Sequence, residues 1–230
     1  MPDSHTRRID RETTRGKGEL YETREQARLG EARILIGIQR LAKGHDFPNV
    51  TLVGILDTDQ GLFSSDFRAT EHMAKLIVQV AGRAGRAERP GEVFIQTHHP
   101  DHPLLQVMLE QGYPGFASAA LAERQQAQFP PFSHLALIRA EAPRREQALG
   151  FLSEVMQFLQ SGAVDNLDLF GPLPAPMEKR AGRFRAQLII QAEQRKTLHS
   201  LLRRCMPQLG KLKSAARVRW SLDVDPQDMY

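Results

Sequence analysis

Two short apolar runs constrain the fold class of this chain more than any other feature. Residues 32–37 (ARILIG) and 50–57 (VTLVGILD) carry apolar side chains at consecutive positions. A strand with one wet face alternates apolar and polar residues. One that is apolar on both faces predicts a parallel sheet covered by helices. From Arg68 to Val80, apolar residues recur at Ala69, Met73, Leu76, Ile77 and Val80, which is helical spacing. GEVFIQTH (91–98) reads as a further strand. Strand, strand, helix, strand is an α/β arrangement. Residues 1–30 read as beginning without a strand, with a polar loop at 13–18 and a helix from Leu20 to Leu29 that ends at Gly30. The expectation is a domain entered in its middle.

From about Tyr113 the pattern changes. A helix rich in Ala and Gln over 116–128 is broken by Phe129-Pro130-Pro131-Phe132. The order then expected is strand (134–140), helix (144–160), strand (166–170), a Pro/Gly/basic loop (171–183), strand (184–191), helix (194–206) and strand (217–224). That is βαββαβ, the split-βαβ or ferredoxin-like plan. The spacing predicts two domains, 1–112 and 113–230.

Net charge is only +4, yet Gly171–Tyr230 carries 12 Lys+Arg against 5 Asp+Glu, and the first 170 residues are net negative. Such a basic segment suits a polyanion or an acidic peptide, and is equally the composition of a solvated face. The single cysteine, Cys205, excludes an intrachain disulfide and a cysteine-based zinc site. Its spacing matches apolar neighbours on a helix, so it reads as core. No apolar run approaches a membrane span, and the polar start lacks the apolar core of a secretory signal. A cytoplasmic location, with no membrane partner, is the default.

The octapeptide Gln79-Val80-Ala81-Gly82-Arg83-Ala84-Gly85-Arg86 carries the most specific chemistry. Arg83 and Arg86 leave a helix end on neighbouring faces, each with a permanently charged planar fork suited to phosphate oxygens. Gly82 and Gly85 let the backbone approach a facing surface. Arginines so placed can act as fingers on a γ-phosphate. Upstream lies Gly37-Ile38-Gln39-Arg40-Leu41-Ala42-Lys43-Gly44-His45-Asp46-Phe47-Pro48. Asp57-Thr58-Asp59 invites a metal reading, but without a third carboxylate at a useful spacing it reads better as a strand end facing a crevice. There is no G-x-x-x-x-G-K-[ST] loop: Gly16-Lys17 is followed by Gly18, and Gly210-Lys211 by Leu212. A D-E-x-H box is also missing.

The octapeptide fits Q-x-x-G-R-x-G-R, motif VI of superfamily 2 helicases, and residues 37–48 resemble motif V of the PriA family of replication-restart DNA helicases. HHPDHPLLQ (98–106), FPPFSHLALIRAE (129–141), KRAGRFR (179–185) and VRWSLDVDP (218–226) resemble the same family in order and spacing. The chain departs from it at Ile38, where motif V usually has a Thr whose hydroxyl meets a DNA phosphate. Within this likeness His98, His99 and His102 read as a junction between domains.

The resemblance implies part of a second RecA-like lobe followed by the family's C-terminal domain. Arg83 and Arg86 become the γ-phosphate contacts, Gln79 a polar link between nucleotide and DNA, and Lys43 and Gly44 part of the coupling segment. ATP and Mg²⁺ belong to the complete enzyme, and zinc to a cysteine-bearing insertion of the family absent from these residues; no metal site is expected here. The chain alone is expected to be inactive. Lys179, Arg180, Arg183, Phe184 and Arg185 are candidates for holding forked or single-stranded DNA. Strand alternation would set Arg183 and Arg185 on one face and Phe184 opposite. Arg195 and His199, four apart on a helix, are implied to meet the acidic, Phe-ended tail of single-stranded DNA-binding protein, with leucines flanking its ring. Other primosome proteins are implied partners. The rival reading is a non-catalytic nucleic-acid-binding or primosome-interaction protein.

Overall fold

The computed structural model describes residues 6–9, 25, 26, 29, 34–37, 50–82, 91–161 and 166–229. It is a mixed α/β structure whose contacts divide into two compact units: Met1–Ser64 with Ala69–Ala119, and Ser65–Arg68 with Ala120–Tyr230. Helix α3 (Pro103–Gln126) runs through the change of unit and carries a break at Gly112 (φ 67°, ψ −166°), two residues before Pro114. It begins well before the helix expected at 116–128. Pro103 is tolerated there because the first helical position needs no N–H partner.

The first unit holds parallel strand pairs. β1 (Thr6–Ile9) lies beside β2 (Ile34–Gly37), with Thr6 opposite Ile34 and Ile9 opposite Gly37. β3 (Leu52–Ile55) lies beside β4 (Glu92–Ile95), with Leu52 opposite Glu92. The parallel pairing agrees with the apolar runs. Strand β1, however, corrects the expectation of a strandless start. Its sequence TRRI has no apolar run to announce it; ladder bonds to β2 draw it into the sheet, a tertiary effect that overrides local preference.

Helix α2 (Ala69–Ala81) buries Met73, Ala74 and Ile77, the face its spacing predicts. On β3, Ile55 is buried and Val53 half-buried, while Leu52, Leu56 and Phe94 of β4 are exposed. Ile34 and Ile36 are likewise exposed. Among the described residues, therefore, helices do not cover both faces of these strands, as the apolar runs suggest. Such runs mark a strand without saying which layers exist to cover it.

The ends of β3 and β4 are tied by a short helix, α1 (Asp59–Leu62). The Thr58 hydroxyl donates to the Gln96 carbonyl at 2.6 Å. Asp59 accepts from the Thr97 hydroxyl and, at 3.0 Å, from the His98 amide. Phe63 meets the edges of His99 and His102, with ring centroids 4.5 and 5.7 Å apart. The acidic strand end is thus occupied by structural hydrogen bonds. Among the described residues, no group of three or more His, Cys, Asp or Glu converges as a metal site would require.

The second unit runs β5 (His134–Ala142), α4 (Arg145–Ser161), β6 (Leu167–Arg180), β7 (Arg183–Ala192), α5 (Arg195–Leu209), a 3₁₀ turn (Ala215–Arg217) and β8 (Arg219–Val224). The sheet order is β6-β7-β5-β8, and every neighbouring pair is antiparallel. Alternation decides the core. Ala136, Ile138, Ala140 and Ala142 of β5 and Ala186, Leu188, Ile190 and Ala192 of β7 turn toward the helices. Phe151, Leu152 and Val155 of α4 and Leu198, Leu201 and Cys205 of α5 close over them. The small alanines let the helices come near, and each large apolar side chain so buried contributes roughly 1.5–3 kcal/mol before entropy is counted.

Residues 171–180 are a correction. Instead of a loop they continue β6 as an edge strand, with register shifts after Phe170 and after Pro174. Pro172, Pro174 and Pro176 are compatible with an edge, where a missing N–H need not break a ladder. Gly171 (φ 123°) enables the first shift, since a Cβ there would lie 2.9 Å from the Gln187 carbonyl oxygen. Ala181 and Gly182 (φ 48° and 77°) make the two-residue turn into β7.

The Asp59 carboxyl is held below its usual pKa, first by the Thr97 hydroxyl and then by the His98 amide, against a smaller opposing effect of burial. A carboxylate depressed on folding adds stability that is present above its unfolded value and lost as pH falls through its folded one. Thermal unfolding followed from neutral to acidic pH should therefore show a steeper acid-side loss in the parent than in Asp59→Asn. Identical profiles would remove Asp59 from the acid response.

Candidate functional site

The structure reaches motif VI only at its start. Gln79 stands exposed in the last turn of α2, and Gly82 follows it, its N–H donating to the Val78 carbonyl at 3.0 Å. Arg83, Gly85 and Arg86 lie outside the described residues, as do Ile38, Lys43 and Gly44 of the motif V segment. Helix α2 directs Gln79 because Met73, Ala74 and Ile77 pin its other face.

The hairpin residues are brought together, but on two faces. The register sets Lys179 opposite Phe184 and Arg180 opposite Arg183. The Lys179 ammonium sits 5.0 Å from the Phe184 ring centroid, a cation–π arrangement. Phe184 faces the helix side, near Arg145, Ala148, Leu149 and Pro174. Arg183 and Arg185 occupy the other face, as alternation predicts. Arg185 pairs with the Glu141 carboxylate at 3.2 Å, and Arg183 donates to the Glu141 carbonyl at 3.1 Å.

Arg195 opens α5 with its side chain 64% exposed and its guanidinium paired to Asp225 at 2.9 Å. His199 is exposed one turn on. The leucines expected to flank a slot beside them do not: Leu198, Leu201 and Leu202 are buried in the core. An amphipathic helix can offer its apolar face to the sheet or to a ligand, and here the sheet takes it.

Sequence reading missed a second cluster in this unit. Asp66 is buried and accepts the amides of Arg68 at 2.9 Å and Met229 at 3.2 Å. Phe67 stacks on Phe129 with centroids 5.1 Å apart, and the Arg68 and Arg124 guanidiniums lie 4.2 and 5.1 Å from its ring. On the sheet, Arg139 reaches Asp223 at 3.0 Å and the Asp228 carbonyl at 2.8 Å. The lone arginine within HLALIRAEA was the available signal for this anchor; nothing comparable marks Asp66.

Residues 6–88 match the family described as "Helicase conserved C-terminal domain", and residues 125–227 that described as "Primosomal protein N C-terminal domain". The "Replication restart protein PriA" of Haemophilus influenzae is 48% identical over all of this chain and 31% of its own length. Those of Bacillus subtilis and Chlamydia pneumoniae are 34% and 35% identical, again over the whole chain, and over 28% and 30% of their lengths. Along its whole length the chain is similar to these PriA proteins. It spans about a third of the length of these curated PriA relatives. The matched segments place the helicase-type part before the PriA C-terminal domain, with Gln79 and Gly82 in the former and the hairpin and Arg195 in the latter. Among the described residues, no helix is long and apolar enough to cross a membrane.

Proposed function

We propose that this chain is the C-terminal part of an ATP-dependent 3′–5′ DNA helicase of replication restart, contributing motifs V and VI and a domain for DNA and protein partners. The observation that carries this reading is the octapeptide from Gln79 to Arg86, which begins at an exposed helix end inside the helicase-type match. The similarity to PriA relatives over the whole of this chain supports it. We read residues 1–112 as part of a RecA-like second lobe and 113–230 as the C-terminal domain. The strand order and antiparallel pairing of the second unit support a ferredoxin-like plan.

In this reading Arg83 and Arg86 meet the γ-phosphate and stabilise its developing charge. Gln79 links nucleotide to DNA, Gly82 and Gly85 allow close backbone approach, and Lys43 and Gly44 carry the coupling. The exposed ends of Gln79 and Gly82 are compatible with a facing nucleotide. ATP supplies the bond that is hydrolysed, with Mg²⁺ and the phosphate cradle held by residues outside this sequence; zinc belongs to the family's insertion. Forked and single-stranded DNA and other primosome proteins are the partners, in the cytoplasm. The alternative, a non-catalytic nucleic-acid-binding or primosome-interaction protein, draws support from the hairpin cations Lys179, Arg180, Arg183 and Arg185.

Steady-state hydrolysis separates the two. The 230-residue chain should show no DNA-stimulated ATPase, because no group cradles the β-phosphate. In the complete enzyme Arg86→Ala should lower kcat by about 10³-fold or more, the scale of a finger arginine, with DNA affinity little changed. Turnover by the chain alone, or full activity in the Arg86 variant, contradicts this assignment.

Arg195 and His199 we assign to the acidic, Phe-ended tail of single-stranded DNA-binding protein. Because Asp225 already holds the guanidinium, the tail's carboxylate must exchange with Asp225. A labelled tail peptide should bind Arg195→Ala several-fold more weakly than the parent, consistent with about 1 kcal/mol for an ion pair at this exposure. Equal affinities would place the tail elsewhere.

A further inference from the structure

By sequence, residues 65–68 belong to the helicase-type part, since they lie within the match over 6–88. By contacts they belong to the second unit: the chain leaves the first unit at Ser65 and returns to it at Ala69, where α2 begins. The second unit thus completes its fold with four residues from the lead-in to the helix that carries the start of motif VI.

These residues are held at several points. The Asp66 side chain is buried, and its carboxylate accepts the Arg68 amide at 2.9 Å and the Met229 amide at 3.2 Å. One group therefore ties the lead-in to the C-terminal tail, 163 residues on in sequence. Met229 is itself buried. Phe67 stacks on Phe129 with centroids 5.1 Å apart, and Arg124 donates to the Phe67 carbonyl at 3.4 Å. A carboxylate taken out of water is costly unless hydrogen bonds hold it. Arg139 already fixes the tail to the sheet, through Asp223 at 3.0 Å and the Asp228 carbonyl at 2.8 Å. What Asp66 adds is a link from the tail to the chain entering α2.

Arg68 is followed directly by Ala69, the first residue of α2. That helix has 13 residues, about 20 Å at helical rise. A helix of this length transmits displacement as a rod, so a shift at its start reaches its last turn, where Gln79 stands. We propose that Asp66 and Phe67 are positioning residues for motif VI. Their clasp in the C-terminal domain sets the start of α2, and through it the reach of Arg83 and Arg86, given the nucleotide role assigned to those arginines above. Neither residue touches ATP in this role. A ligand of the C-terminal domain that tightens or loosens the clasp thereby alters hydrolysis from a distance.

Steady-state ATP hydrolysis of the complete enzyme, with and without single-stranded DNA, tests the clasp. The variants are Asp66→Ala, a chain ending at Asp225, and the two combined; the shortened chain lacks the Met229 amide. Val155→Ala, a core change in the same unit, controls for lost stability, with urea midpoints measured throughout. Asp66→Ala and the shortened chain should each lower the DNA-stimulated kcat by roughly three- to thirty-fold, the span of coupling lost at such a position. KM for ATP and affinity for DNA should stay at the parent's values, and Val155→Ala should keep the parent's rate. Asp66→Asn, which retains one acceptor oxygen, should fall between Asp66→Ala and the parent. The combined variant should be no slower than the worse single one, because both changes open the same link. Losses that multiply in the combined variant, or that Val155→Ala shares, overturn the clasp. So do variants with the parent's stimulated rate while the parent hydrolyses ATP; a parent with no turnover instead contradicts the helicase reading, and the clasp falls with it.

Discussion

The antiparallel pairing of β5 with β7 is the constraint on which the second unit depends. It runs from His134 opposite Ala192 to Ala142 opposite Phe184 without a register shift. A slip of β5 by one residue would turn Ile138 outward and carry Arg139 and Glu141 into the helix-covered core. Burying those charges without partners would cost far more than any local preference could offset. One register therefore fixes both the apolar layer under α4 and α5 and the charged layer behind it. The edge strands follow: β8 pairs along β5, and β6 along β7, where two register shifts absorb its prolines.

Periodicity carried much of this into the sequence. The order of strands and helices in the second unit was legible because each strand there alternates and each helix repeats its apolar face. Arg183 and Arg185 sharing a face was legible for the same reason. The long reach of β6 was hidden, because prolines read as loop unless one knows that the strand lies at an edge. Leu198, Leu201 and Leu202 were legible as one face of a helix, but spacing cannot say whether sheet or ligand covers that face. Asp66 was hidden because its partner, the amide of Met229, is remote in sequence and carries no side-chain signal.

The first unit was legible differently. Its parallel strands announced themselves as apolar runs, while β1 did not, since its pairing comes from β2 and not from its own residues. The motif from Gln79 to Arg86 was legible as chemistry, because paired arginines beside glycines at a helix end suit phosphate. The exposed apolar residues Leu52, Leu56 and Phe94 show that apolar sequence predicts a strand more securely than it predicts coverage. Helix α2 is anchored by its buried face while its last turn presents Gln79.

The central claim is that this chain serves as the C-terminal part of a PriA-type helicase. A complete hybrid tests it most directly, in which this chain replaces the segment it aligns with in the Haemophilus influenzae relative, 48% identical to it. The quantity to measure is DNA-dependent ATP hydrolysis of the purified hybrid beside its parent. The account predicts hydrolysis that rises with DNA in both. A folded hybrid that hydrolyses no ATP, while the parent is active under the same conditions, would contradict it.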